Sequence, residues 1–279
     1  TQWSVGGDPD PSAREVRAPS GVVRHEPAEM IVRVRAGTTV AELDAVLADG
    51  GQTIALDPVD PQQATVGGVL AVGHSGLRRL GWGPVRDTLL EARFVSAEGR
   101  LIRAGGPVVK NVTGFDLCRL LVGSLGTIGL LAEVVLRVRP RPPVSIWLRG
   151  AGQDPDRLRD RLFRPSSILW DGTSCWVLLE GHPADVDAEV AAVGSGFEPV
   201  EQPPALPHAG RLSVTPSAIR ELVTTLAPGT FVAEIGVGIV HAATPPPPRR
   251  VGPERAAIER RIKTNFDPTG RLNPGRTVA

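Results

Sequence analysis

Three glycines spaced three residues apart constrain this chain more than any other short segment. They are Gly123, Gly126 and Gly129, in the stretch GSLGTIG, and they lie between an apolar helical pattern and a strand-like pattern. Glycine reaches backbone conformations that other residues avoid, and its missing side chain lets a second backbone or a ligand come close. The segment therefore indicates either a tight turn, with Gly123 as the C-cap of the helix, or the close approach of a ligand.

A dinucleotide site of the Rossmann type is excluded by both the spacing and the order of these glycines. That motif requires G-x-G-x-x-G after a strand and before a helix, so that the helix N-terminus meets the pyrophosphate. Here the spacing is G-x-x-G-x-x-G, and the order is helix, glycines, strand.

Helix and strand patterns alternate through the first half of the chain. Thr39 and Glu42 predict a capping box at the start of one helix, and Thr65 predicts the N-cap of a second, short helix. Strands are predicted in EMIVRVRAG and QTIALD, and a β-hairpin in LLEARFVSAEGRLIRAGG.

A proline-rich stretch, RPRPP at residues 139–143, predicts a domain boundary. Beyond it, TPSAIRELVTTLAPG is predicted to be a helix and TFVAEIGVGIVHA to be strand-like. A tract of four prolines, residues 245–248, indicates a stiff linker, and a last helix is predicted in PERAAIERRIKTNF.

Composition excludes several classes of function. The net charge of +1 provides no electrostatic field for nucleic acid or acidic lipid, so neither is an expected partner. No apolar run reaches the roughly 18 residues of a membrane-spanning helix. Cys118 and Cys175 are the only cysteines and lack metal-ligand spacing, so no metal site is predicted. The default expectation is a cytoplasmic protein.

Three ordered segments of the sequence resemble a known family. They are ATVGGVLAVGHSGLRRLGWGPVRD, VVKNVTGFDLCRLLVGSLGTIGLLAEVVLRVRP and FDPTGRLNPGR. Together they are similar to the FAD-binding subunits of bacterial glycolate oxidase, which are flavoproteins of the vanillyl-alcohol oxidase, or PCMH, type. The resemblance implies an α+β fold: a PCMH-type FAD-binding fold of two α+β subdomains, with a smaller α+β cap domain. The domains it implies are a FAD-binding domain in residues 1–141, a cap domain in 142–250 and a C-terminal segment, 251–279, that returns to the flavin.

The same resemblance implies that FAD is the cofactor and is held mainly by backbone amides, which stabilise phosphate charge without a long side chain. The cofactor-binding residues that it implies fall in four groups. The diphosphate and the flavin edge would be lined by Thr65, Val66, Gly67 and Gly68, followed by Ser75 and Gly76. The adenosine side would be lined by Gly126, Thr127, Ile128 and Gly129. An adjoining loop contributes Lys110, Asn111 and Gly114, and the C-terminus contributes Asn273 and Gly275.

Phe115 and the opening segment differ from the family pattern, and His74 raises the question of a covalent flavin bond. Phe115 stands where the family usually has tyrosine. The opening residues TQWSVGG resemble those that follow the family's first glycine-rich loop, so that loop is expected upstream of Thr1 or is absent. His74 lies on the second motif and is interpreted as a hydrogen-bonding or packing residue rather than as a covalent flavin attachment.

The function implied by the resemblance is that of a FAD-binding subunit in a glycolate-type 2-hydroxy-acid oxidase or dehydrogenase complex. The implied partners are a catalytic flavoprotein subunit, an iron–sulfur subunit and a small 2-hydroxy-acid substrate, with the complex peripheral at the inner face of the membrane. His182, His208 and His241 have no recognisable acid–base partner in the sequence. Two alternatives remain open: a self-sufficient FAD-dependent 2-hydroxy-acid dehydrogenase, and a non-catalytic assembly subunit that has lost FAD.

Overall fold

The computed structural model describes residues 7–8, 10–106, 116–245 and 251–276. The chain forms two compact units. Unit 1 consists of Thr1–Gly76, Pro84–Arg141 and Arg250–Ala279, and unit 2 consists of Leu77–Gly83 and Pro142–Arg249.

Unit 1 is built on an antiparallel five-stranded sheet with the order β1-β2-β6-β4-β5. Its strands are β1 (Val22–Glu26), β2 (Ile31–Arg35), β4 (Leu89–Val95), β5 (Leu101–Gly105) and β6 (Leu130–Arg137). A separate two-stranded sheet pairs β3 (Gln52–Thr53) with β7 (Arg139–Pro140). Its helices are α1 (Val40–Asp49), α2 (Val66–Val72), α4 (Leu117–Leu121) and α8 (Pro253–Phe266).

Local sequence signals explain where the helices of unit 1 begin. The Thr39 hydroxyl accepts a hydrogen bond from the Glu42 N–H at 3.2 Å, and the Glu42 carboxylate accepts one from the Thr39 N–H at 2.9 Å. This reciprocal pair is the predicted capping box. Apolar residues of α1 and α2 join those of the sheet in one core, which includes Val34, Leu43, Leu47, Leu70, Phe94 and Leu136.

The sheet of unit 1 carries a charged network among its strands. Glu91 is almost fully buried and accepts hydrogen bonds from Arg33 at 3.0 Å and Arg103 at 2.7 Å. Burial alone raises the pKa of Glu91, but the two guanidinium groups outweigh it, so the pKa lies below its usual value.

Unit 2 is built on an antiparallel seven-stranded sheet with the order β11-β8-β10-β9-β13-β14-β12. Its strands are β8 (Val144–Ala151), β9 (Ser167–Trp170), β10 (Ser174–Gly181), β11 (Phe197–Val200), β12 (Gly210–Ser213), β13 (Phe231–Glu234) and β14 (Ile239–Ala242). Its helices are α3 (Arg79–Trp82), α5 (Pro155–Arg161), α6 (Pro183–Val193) and α7 (Ile219–Val223). Apolar residues of α5, α6 and α7 share a core with this sheet.

Residues 77–83 come from the first half of the chain but pack within unit 2. Leu80 lies against the unit 2 core, and the Gly81 N–H donates to the Ser166 carbonyl at 3.3 Å. The indole N–H of Trp82 donates to the Glu180 carboxylate at 3.0 Å.

Within the described residues, the helices and strands agree with the sequence predictions except at three segments, and three prolines of the predicted linker, residues 246–248, lie outside the described residues. QTIALD forms a strand only at Gln52–Thr53, although Ile54, Ala55 and Leu56 are buried. TFVAEIGVGIVHA is two strands, β13 and β14, because Gly236 and Gly238 take positive φ and turn the chain. TPSAIRELVTTLAPG contains a 3-10 turn and the short α7 instead of one long helix.

Candidate cofactor site

The start of α2 uses its own N–H groups within the chain. The Val66 N–H donates to the Thr38 carbonyl at 2.9 Å and the Gly67 N–H to the Ala36 carbonyl at 2.8 Å. The Gly68 N–H donates to the Thr65 hydroxyl at 3.1 Å, which confirms Thr65 as the N-cap. These amides therefore have no remaining proton for a phosphate in this conformation.

The end of α2 meets the residues 123–129, here called the glycine loop. The Gly123 N–H donates to the Leu70 carbonyl at 3.0 Å, and the Leu125 N–H donates to the Ala71 carbonyl at 2.8 Å. A Cβ at Gly73, the C-cap of α2, would lie 2.7 Å from the Gly123 Cα. Backbone hydrogen bonds thus join α2 directly to the glycine loop, and both segments were predicted to line the cofactor.

The three glycines of the loop have different roles. Gly123 and Gly126 have φ of 81° and 71°, and a Cβ at either would meet no atom closer than 4.0 Å. A Cβ at Gly129 would instead lie 2.5 Å from the Phe94 ring. Val122 is the C-cap of α4, and Gly123 follows it. The turn interpretation therefore holds at Gly123 and Gly126, whereas core packing explains Gly129.

Thr127 and Ile128 are buried within unit 1. The Thr127 hydroxyl and N–H both donate to the Ser124 carbonyl, at 2.7 Å and 3.0 Å. Ile128 is part of the hydrophobic core. Their contribution to a ligand site is therefore limited to the shape of the backbone.

The residues 263–276, here called the C-terminal segment, are fastened to the glycine loop. The Asn273 side-chain amide donates to the Leu125 carbonyl at 2.5 Å. The Lys263 ammonium donates to the Thr127 carbonyl at 2.8 Å. Gly275 has φ of 84°, and the preceding Pro274 carbonyl accepts from the Asp10 N–H at 3.0 Å.

Asp267 organises the C-terminal segment from inside the protein. Its carboxylate accepts from the Lys263 ammonium at 2.6 Å and from the N–H groups of Arg271 and Leu272 at 2.9 Å and 2.8 Å. Burial alone raises the pKa of Asp267, but these hydrogen bonds outweigh it and hold the pKa below its usual value. Lys263 and Asp267 were not among the predicted site residues.

Ser75 and Gly76 lie where the chain leaves α2. The Ser75 hydroxyl accepts from the Val85 N–H at 3.0 Å. A Cβ at Gly76 would overlap the side chain of Asp57, so this glycine is also required by packing. The predicted Lys110, Asn111 and Gly114, together with Phe115, lie outside the described residues. Within the described parts of the chain, no group of His, Cys, Asp and Glu has the geometry to bind a metal ion.

The glycine loop, unlike the start of α2, has a backbone N–H that is not used within the described residues. The backbone at Gly126 is half-buried, and a Cβ there would occupy open space. Its N–H makes no hydrogen bond with any other described residue. Gly126 therefore combines a missing side chain with an unused backbone donor, a combination that suits the phosphate of a flavin nucleotide.

Unit 2 contains a polar cluster that was not predicted from the sequence. The His241 Nε2 lies 2.8 Å from one oxygen of Glu234, a residue that is 3% exposed. The other Glu234 oxygen is buried without a hydrogen-bond partner among the described residues. Arg211 pairs with His241 in the strand register, and burial lowers the pKa of its guanidinium group although Glu234 opposes the shift. The expectation that His241 lacks an acid–base partner was therefore wrong, because β13 and β14 form a hairpin.

Comparisons with known proteins show which proteins this chain resembles. Residues 16–105 match the family model described as FAD binding domain, and residues 218–277 match FAD linked oxidases, C-terminal domain. The chain is 35% identical over 187 residues to the glycolate oxidase subunit GlcE of Escherichia coli (strain K12), covering 64% of this chain and 53% of that subunit. It is 37% identical over 100 residues to the glycolate oxidase subunit GlcD of Bacillus subtilis (strain 168), covering 36% of this chain and 21% of that subunit. The chain thus spans about half the length of the first relative and about a fifth of the second.

Solved structures show the same fold. An alkyldihydroxyacetonephosphate synthase gives a TM-score of 0.65 at 15% identity, covering 91% of this chain and 65% of that chain. A carbohydrate oxidase from Microdochium nivale gives a TM-score of 0.51 at 20% identity, covering 65% of this chain and 42% of that chain. The α+β class and the PCMH-type fold predicted from the sequence are confirmed. The chain is therefore similar to FAD-linked oxidases in the two matched segments and shares its fold with the two solved structures.

Proposed function

We propose that this chain is a FAD-binding subunit of a glycolate-type 2-hydroxy-acid oxidase or dehydrogenase complex, in which it carries or relays electrons. The observation that supports this most is the hydrogen-bonded cluster of α2, the glycine loop and the C-terminal segment within unit 1. The similarity to the glycolate oxidase subunit GlcE gives the cluster a functional context.

Particular residues of unit 1 would hold the cofactor. Gly126 offers an open backbone N–H, and Asn273 and Gly275 form a bend fastened to the same loop. Gly67, Gly76 and Gly129 would act indirectly, since they allow close packing of the elements that carry the site. FAD, when bound, supplies the capacity to accept a hydride and to pass on electrons.

The partners belong to the same proposal. A catalytic flavoprotein subunit resembling GlcD would deliver electrons, and an iron–sulfur subunit would receive them. A cytoplasmic location, peripheral to the membrane through these partners, completes the proposal. Among the described residues, no helix is both long enough and apolar enough to cross a membrane.

Reconstitution tests the function directly. The purified chain is incubated with FAD, passed over a desalting column and examined by flavin absorbance, then mixed with glycolate or D-lactate. The proposal predicts retained flavin that is reduced only slowly by either acid when the chain is alone. Co-purification from the native source should then identify a second flavoprotein and an iron–sulfur protein by mass and absorbance.

The Glu234–His241 pair favours a second candidate, the self-sufficient dehydrogenase. A buried carboxylate beside an imidazole is a suitable acid–base pair, and Arg211 on the neighbouring strand provides a cation for a carboxylate substrate. Rapid turnover with an artificial acceptor, abolished in Glu234→Gln, would support this candidate over the accessory role.

The start of α2 is relevant to the third alternative, an assembly subunit without FAD. The N–H groups of Val66, Gly67 and Gly68 are already used within the chain. A colourless protein that refuses added FAD would support this alternative and refute the other two.

A further inference from the structure

The Lys263 ammonium joins three separate parts of unit 1. Its three protons match three acceptors: Asp267 at 2.6 Å, the Thr127 carbonyl at 2.8 Å and the Leu272 carbonyl at 2.9 Å. Asp267 is buried and binds the backbone N–H groups of Arg271 and Leu272 in turn. This one cation on α8 therefore binds the glycine loop at Thr127 and residues 267–272 of the C-terminal segment.

Two residues with a left-handed backbone conformation lie beside this junction, and in Leu125 this conformation is strained. Leu125 and Asn273 have φ of 53° and 46°, the left-handed region that most L-residues avoid. They face each other through the hydrogen bond from the Asn273 amide to the Leu125 carbonyl. Strain of this kind persists only where the surroundings hold it, and it concentrates at functional sites.

We propose that Lys263 and Asp267 are positioning residues that hold the glycine loop in its strained conformation and thereby set the affinity of the chain for FAD. The inference rests on the proposed function, since it takes the glycine loop to be part of the FAD site. The two residues act through the backbone of Thr127 and Leu125. The positive charge of Lys263 balances the negative charge of Asp267, and the ammonium also holds the loop through the Thr127 carbonyl.

The same helix provides a matched control. Arg255 and Glu259 form an ion pair at 2.7 Å with the same i,i+4 spacing as Lys263 and Asp267. No hydrogen bond joins the Arg255 or Glu259 side chain to the glycine loop among the described residues. Loss of this pair removes an ion pair of the same spacing from a more exposed part of α8 and leaves the loop contacts intact.

The experiment compares Lys263→Met with Arg255→Met in the full chain. FAD affinity is measured by quenching of flavin fluorescence, thermal unfolding is followed without FAD, and hydrogen exchange of residues 123–129 is recorded in both states. Loss of the charged hydrogen bonds should weaken FAD binding about tenfold or more in Lys263→Met and accelerate exchange in the loop. Arg255→Met should bind FAD within about twofold of the parent. Lys263→Arg, which keeps the charge, should recover part of the affinity and serves as the milder variant if Lys263→Met does not fold.

The outcomes separate this inference from the proposed function. A parent chain that binds no FAD refutes the function and, with it, the FAD role of the two residues. A parent that binds FAD, with Lys263→Met binding equally well, overturns only the positioning role. Equal weakening in Lys263→Met and Arg255→Met also overturns it, because α8 would then act through its general stability.

Discussion

At the start of α2, Gly67 packs closely against Ala36, the residue after β2: a Cβ at Gly67 would lie 2.7 Å from the Ala36 Cβ, and the Gly67 N–H donates to the Ala36 carbonyl. In the glycine loop, Gly126 has open space around it and a positive φ. The first region needs glycine for its small volume, whereas the second needs it for its backbone conformation. The two glycine-rich regions should therefore lose stability for different reasons. At Gly67 any added side chain collides with its neighbour, whereas at Gly126 a side chain matters only because it disfavours the positive φ.

The largest effect is expected at the packed region. Gly67→Ala pushes α2 away from Ala36 and lengthens the hydrogen bond to its carbonyl, which should lower the free energy of unfolding by about 3 kcal/mol. Urea unfolding measures the change. Gly106→Ala is the control, because a Cβ at Gly106 would meet no atom of the described residues within 4 Å and its φ is not positive. Equal stabilities of the two variants would show that the α2 contact is not tight.

Gly129→Ala tests whether one glycine of the loop behaves like the packed region. Its Cβ would lie 2.5 Å from the buried Phe94 ring, so a loss of about 2 kcal/mol is expected. In a Phe94→Leu background the same substitution should cost less than about 1 kcal/mol, since the ring edge is gone. An unchanged cost in the double-mutant cycle would assign the effect to the backbone instead.

Acid should loosen the glycine loop before the start of α2. The native pKa of Asp267 lies below its ordinary value of 3.8, so its stabilisation is present above pH 3.8 and is lost as the pH falls through the native pKa. As Asp267 becomes protonated, the amides of the glycine loop should lose about 1.5 kcal/mol of protection against hydrogen exchange, and the amides of α2 should lose much less. Asp267→Asn should remove the pH dependence. Parallel loss of protection in both regions would contradict the special role of Asp267.

Gly126→Ala should lower the free energy of unfolding by about 1 kcal/mol, because only the positive φ opposes the new side chain. Gly126→Asn should cost less, since asparagine tolerates the left-handed region better than alanine does. Thermal unfolding compares the two variants. The comparison between the regions fails if alanine and asparagine are equally destabilising here.

The smallest effect is expected at the thiols. Burial, with a further contribution from Asp116, raises the pKa of Cys118 to about 11, and burial raises that of Cys175 to about 12. Neither thiol should react with a thiol reagent near neutral pH while the chain is folded. Cys118 lies on α4, just before the glycine loop, so its labelling should accelerate slightly in Gly126→Ala while that of Cys175 in unit 2 stays constant. Rapid labelling of the folded parent would contradict the burial.

Local signals in the sequence were sufficient for the elements that depend on neighbouring residues. The capping box of α1, the Thr65 cap of α2, the β4–β5 hairpin and the span of α8 all agree with the structure. Each is determined by contacts within a few positions along the chain, where residue type and spacing carry the information.

Contacts between distant segments were not accessible in the same way. Lys263 and Thr127 are 136 residues apart, and nothing in a helical pattern distinguishes Lys263 from a solvated lysine. The sequence shows a glycine at position 129, but it does not show the reason for it, which is the Phe94 ring on β4. Glu234 and His241 meet because β13 and β14 form a hairpin. The sequence analysis predicted one continuous strand there, and in a continuous strand the two residues would lie far apart. The predicted ligand residues themselves stay predictions until FAD binding is measured.

The short passage of the chain through unit 2 at residues 77–83 has a practical consequence for anyone who recombines these proteins. A fragment containing only residues 142–249 would lack Leu80, Gly81 and Trp82, and so a piece of its own interior. Exchanging this module between homologous genes therefore requires two inserted segments, and the shorter one is seven codons from the opposite half of the gene. Chimeras that exchange residues 142–249 alone would combine them with a segment 77–83 from the other parent, and we expect these chimeras to be less stable.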